Sequence, residues 1–169
     1  MSVSLYEVAI PPLALGLTNL SAILDKAAAY ATAKKIDAAV LADSRLIADM
    51  WPLKRQVQSA CDTAKGAAAR LAAVEIPKHP DTETSFEELK GRIAKTLAFV
   101  HSVKPEQVNA SATREIVLQF PGVKLTFSGV DYLSKYVLPS FYFHLTAAYA
   151  ILRKNGVDVG KFDFLGKIQ

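Results

Sequence analysis

The sequence predicts an all-α bundle with crossover connections and one small β-hairpin before the last helix. Three observations carry this reading. Apolar residues recur at helical spacing in four long segments. The stretches joining those segments are longer than a simple up-and-down bundle needs. Only Arg114 to Phe127 changes to an alternating pattern. A length of 169 residues fits one domain, taken as residues 1–169, and is enough to bury a core. A composition of 51% hydrophobic and 21% charged residues is that of a globular chain rather than a disordered one.

In the first helix Leu13, Leu17, Leu20, Leu24, Ala27 and Ala31 form one stripe at spacings of four and three. Proline is tolerated in a first turn, so Pro11-Pro12 is read as the start of its regular part, with residues 3–10 as a preceding turn. A short helical turn is expected around Asp37 to Leu41. The second long helix opens near Trp51-Pro52 and carries Leu53, Val57, Cys61 or Ala60, Ala64, Ala68 and Leu71. Its alanines favour helix and permit close packing. Pro77 and Pro80 make residues 75–82 a loop. Thr84 or Ser85 caps the third helix, with Glu87 and Glu88 where the helix dipole favours acids. Phe86, Leu89, Ile93, Leu97 and Val100 face inward, and His101 falls in the last turn.

Ile116, Leu118 and Phe120 alternate, Pro121-Gly122 turns the chain, and Leu125 and Phe127 alternate again, which predicts a hairpin. Ser128 to Asp131 reads as a helix start. The last helix uses Val130, Leu133, Val137, Phe141, His144, Ala148 and Ile151, and Asn155-Gly156 stops it. Phe162, Phe164 and Leu165 are expected to pack back on the bundle or on a partner chain.

The net charge of +4 is dispersed in short pairs such as Lys34-Lys35 and Lys54-Arg55, so nucleic acid is not an expected partner. Val137 to Leu152 carries no formal charge but is 16 residues long and holds Pro139 and His144, too short and polar for a membrane span. A single cysteine, Cys61, favours a reducing compartment, and the first residues lack a signal-peptide pattern; a cytoplasmic location is expected.

Asp49-Met50-Trp51-Pro52-Leu53, Gln56-Val57-Gln58, Cys61 to Gly66 and Phe143 to Arg153 resemble a family of uncharacterised bacterial and fungal proteins. That family lies within the DinB/YfiT-like metalloenzyme group of four-helix bundles. The resemblance spans Leu5 to Gly166. It implies an up-up-down-down-like bundle, frequent homodimers and a divalent metal held by three histidines, with thiol-dependent transfer or isomerisation in some members. In those members one histidine comes from the second helix and two from an H-x-x-x-H on the fourth. His144 matches one of that pair. Ala148 stands at the other position, and Trp51 to Val74 contains no histidine, so the three-histidine site does not carry over.

His144 is therefore the candidate centre of a degenerate site. A buried imidazole needs a hydrogen-bond partner, and Asp49 and Gln56, near the start of the second helix, are the candidates. Tyr142 and Tyr149 could line a cavity with their hydroxyls, although core packing is the default for such residues. Asn19 and Asp25 flank the first stripe. His79 and His101 read as surface residues, Cys61 as a small core residue, and Asp62 with Lys65 as a modest surface pair. No catalytic residue is assigned and no cofactor is predicted. The leading expectation is a small-ligand-binding or structural bundle. One rival is a metal- or thiol-dependent transferase or isomerase with a divalent metal in a site rebuilt from Asp49, Gln56 and His144. The other is a dimeric interaction protein using the hairpin or the tail.

Overall fold

The computed structural model describes residues 3–167. In chain order its elements are α1 (Leu5–Lys34), α2 (Ala38–Ala42), α3 (Leu53–Ala72), α4 (Phe86–Ser102), α5 (Pro105–Asn109), β1 (Glu115–Phe120), β2 (Val123–Ser128) and α6 (Gly129–Asp131). A π-helical segment (Tyr132–Val137), α7 (Leu138–Lys154) and α8 (Lys161–Leu165) follow. The protein is mostly helical, with one two-stranded antiparallel sheet. Among the long helices α3 lies against α7 and α1 against α4, pairings that skip the next long helix in sequence, and α3 also packs on the consecutive α4.

The stripe Leu13, Leu17, Leu20, Leu24, Ala27 and Ala31 is buried as its spacing requires. The start of α1 differs from the proline-based expectation. The helix begins six residues before Pro11, and both prolines lie inside it. Ser4 Oγ accepts from the Glu7 amide while the Glu7 carboxylate accepts from the Ser4 amide, a capping box that fixes the earlier start. Leu5, Ala9 and Ile10 are buried beneath this turn, and their burial offsets the two helical hydrogen bonds that the prolines cannot donate. By length and composition α1 also passes for a membrane span, but half of its most apolar window is buried against the rest of the chain.

In α3, Leu53, Val57, Ala60, Cys61, Ala64, Ala68 and Leu71 are fully enclosed. Ser85 caps α4 through the Glu88 amide in a second capping box. The hairpin pairs Phe120 with Val123 across Pro121-Gly122; proline cannot take a positive φ, and Gly122 takes it at 76°. Only Ile116 and Leu118 are buried, while Phe120 reaches solvent.

The last helix is not the uniform one that the periodicity predicts. Ser128 Oγ accepts from the Asp131 amide and starts it, but Val130 is half exposed. The π-helical segment then widens the turn just before Pro139, whose ring would collide with the Lys135 carbonyl in a regular helix. Beyond it Phe141, Ala148 and Ile151 are enclosed. Gly156, with φ of 89°, ends the helix. The tail forms α8, which the sequence reading lacked. Asn19 Nδ2 donates to the Phe164 carbonyl (3.0 Å), Lys26 pairs with Asp163 (2.7 Å), and Phe164 meets the edge of Tyr149. Phe162 is 76% exposed.

Candidate functional site

Gln56 lies one turn into α3, and its side chain is buried. Its Nε2 donates to the Trp51 carbonyl at 3.2 Å, which leaves Oε1 as an acceptor. His144 Nδ1 lies 2.8 Å from that oxygen. Nδ1 therefore carries the proton, and Nε2 presents a lone pair. Among the described residues Nε2 has no hydrogen-bond partner, and it is not enclosed. Burial, then the positive charge of Arg55, holds the imidazole pKa below its ordinary value, so the ring is neutral at physiological pH.

Trp51 stacks parallel to the His144 ring (6° between planes, centroids 6.0 Å apart), and Phe143 meets it edge-on at 5.3 Å. The imidazole is thus held by one hydrogen bond and two aromatic contacts. It looks into an open groove of about 380 Å³ bounded by Asp49, Met50, Trp51, Gln56, Phe143 and His144. A second groove, about 390 Å³, continues along α7 past Leu46, Tyr142, Thr146 and Ala150 and shares Met50 and Phe143 with the first. Phe143 is 57% exposed and Trp51 49%, so the apolar wall is open to a ligand.

One wall is the loop between α2 and α3, residues 43–52. Lys154, at the end of α7, donates to the carbonyls of Arg45 and Leu46 (3.1 and 3.2 Å). The Arg45 guanidinium donates to the Met50 carbonyl, and Lys54 pairs with Asp43 at 2.6 Å. These ties hold Asp49, Met50 and Trp51 against α7. Sequence reasoning missed them because a side chain bonding a distant carbonyl leaves no periodic trace.

Of the residues singled out from the sequence, Gln56 bonds His144. Asp49 lines the same groove and is exposed, with no hydrogen bond to His144. Tyr142 lines the α7 extension. Tyr149 points elsewhere and donates to the Val159 carbonyl at 3.3 Å, which fastens the tail. Among the described residues no three or more His, Cys, Asp or Glu side chains are placed to hold a metal ion. Ala148 is fully buried in α7 and α3 has no histidine, so the residues present do not assemble a three-histidine metal centre.

Two surface assignments are corrected. Lys65 is buried, and its ammonium lies 2.8 Å from Asp62 within a larger network around Arg92. Arg92 is 2% exposed and pairs with Asp62 (2.7 Å), Asp81 (2.9 Å) and Glu83 (3.0 Å). The signal was available: Arg92 falls on the stripe of Leu89, Ile93 and Thr96. His79 is half-buried beside this network, its Nδ1 enclosed without a partner among the described residues; burial, then the Lys65 and Arg92 charges, lowers its pKa. Cys61 is fully buried, and burial pushes its thiol up to about 12, which leaves no thiolate for nucleophilic chemistry. His101 is exposed at the end of α4.

The crystal structure of a DinB family member protein from Shewanella denitrificans, at 1.83 Å resolution, superposes with a TM-score of 0.90. It is 44% identical, over 97% of this chain and 93% of that one. Curated proteins contain no match. The fold and this similarity define a DinB-like helical protein. Residues 5–165 match the family described as Domain of unknown function (DUF1993), and the chain belongs to it.

Proposed function

We propose that this chain is a single-domain DinB-like four-helix bundle with crossover connections that binds a small ligand in the groove beside His144. One observation carries the reading. The imidazole is fixed on one side by Gln56 and has an unpartnered, solvent-reaching acceptor on the other, between apolar walls. Buried polar atoms are normally satisfied within the protein, whereas a binding site keeps a few aimed outward from an apolar lining. The lone buried thiol fits a cytoplasmic setting. A homodimer is the proposed assembly, with exposed Leu15 and Phe162 as apolar surface available for it; a monomer by light scattering at high concentration would remove that part of the proposal.

The ligand reading is tested by a fragment screen read in amide and imidazole NMR spectra. Hits are expected to shift Met50, Trp51, Phe143 and His144 together, and His144→Ala should abolish those shifts while the fold is retained. Hits that avoid this groove, or persist unchanged in His144→Ala, would overturn it.

A further inference from the structure

The two adjoining grooves differ in polarity. The extension along α7 is lined by Leu46, Tyr142, Ala147 and Ala150 and carries no formal charge. The end at His144 carries one: among the described residues Asp49 is the only formally charged side chain lining either groove. Asp49 has no salt-bridge partner among the described residues. Every neighbouring cation is already engaged. Arg55 pairs with Asp81 and lies over the Trp51 ring, Arg45 serves the Met50 carbonyl, Lys54 pairs with Asp43, and Lys154 holds two loop carbonyls. The lining of the polar end therefore offers two acceptors, the Asp49 carboxylate and His144 Nε2, and no cationic side chain.

A carboxylate or phosphate ligand would meet like charge at Asp49 and a lone pair at Nε2. An ammonium group has three donors and no acceptor, the complement of this pair. From these acceptors we propose that the groove selects an apolar amine, its ammonium at Asp49 and His144 Nε2 and its hydrocarbon body along α7 against Met50 and Phe143. This inference rests on the ligand-binding reading above and specifies the ligand's class.

The test titrates the full chain with three probes of matched body, hexylamine, hexanol and hexanoate, following the Phe143 and His144 resonances. Hexylamine is expected to saturate these shifts about tenfold more tightly than hexanol, as one charge-assisted contact at an exposed carboxylate warrants. Asp49→Asn should remove that preference by weakening hexylamine far more than hexanol. Hexanoate binding as well as the amine, or Asp49→Asn without effect, would overturn the inference while leaving the groove a ligand site. If none of the probes perturbs the groove, and the fragment screen finds nothing there, the ligand-binding reading falls with it. Each titration is repeated at two protein concentrations. Binding that weakens as a dimer forms would assign the groove to a second copy, and would also overturn the amine.

Discussion

Arg92→Leu is expected to lower unfolding stability by about 3 kcal/mol, the low end of the cost of removing one partner from a buried ion network. The arginine side chain is 1% exposed, and the Glu83 side chain is 12% exposed. Burial alone would disfavour the guanidinium charge. The Glu83 hydrogen bond and the charges of Asp62 and Glu83 outweigh that, and the net effect raises the Arg92 pKa. Leucine would fill much of the volume but leave Glu83 enclosed without its cation. Asp62 and Asp81 keep 41% and 36% of their side-chain surface and would rehydrate, which is why the low end applies. Arg92 also donates to the Pro80 carbonyl (3.1 Å), while Gln58 donates to Glu83 (2.9 Å), so one side chain ties the 73–85 connection to both α3 and α4. Urea unfolding of Arg92→Leu and Arg92→Lys would measure it. The lysine variant keeps the charge but loses the fork, and should fall between. A loss under about 1 kcal/mol for the leucine variant would mean that the network contributes nothing net, as some buried ion clusters do.

The features read correctly from the sequence are those recorded residue by residue. The apolar stripes of α1 and α3 are buried because a helix with one covered face writes its period into the chain. Ser85 and Ser128 cap helices because the cap chemistry is complete within four residues. The first helix was misjudged where two local rules competed, and the capping box with buried Leu5, Ala9 and Ile10 prevailed over Pro11-Pro12. The π-helical segment left no signal, since one widened turn shifts the facing of Val130 without altering the apolar count. Around the site, His144 and Gln56 were legible as a polar pair on core-facing helices. The path of the 43–52 loop was not, because Lys154 and Arg45 hold it through backbone carbonyls. The Arg92 network draws on Asp62, Asp81 and Glu83 from separate segments, so only the misplaced arginine on an apolar stripe pointed to it.

Gln56→Leu should cost about 2 kcal/mol and disorganise the His144 ring. Gln56 is 1% exposed and serves two groups, accepting from His144 Nδ1 and donating to the Trp51 carbonyl. Leucine preserves much of the packing and leaves both groups unpaired; each buried unsatisfied group costs about 1–3 kcal/mol, and the half-buried ring recovers part through solvent. The histidine titration separates this account from simple loss of packing. In the native protein burial and Arg55 hold the His144 pKa below the ordinary imidazole value. The folded state then binds fewer protons than the unfolded chain between its own pKa and that ordinary value. Its contribution to stability is present above the ordinary imidazole range and is lost as pH falls through the folded-state pKa. Removing the Gln56 oxygen removes an acceptor that favours the protonated ring, so Gln56→Leu should move the titration lower still. Gln56→Glu places a carboxylate at the same nitrogen and should move it upward, adding stability on the acid side. Imidazole NMR titration of the three proteins would follow these directions. Shifts of the same sign in both variants would show that Gln56 does not set the protonation of His144, and would leave Nε2 without its assigned lone pair.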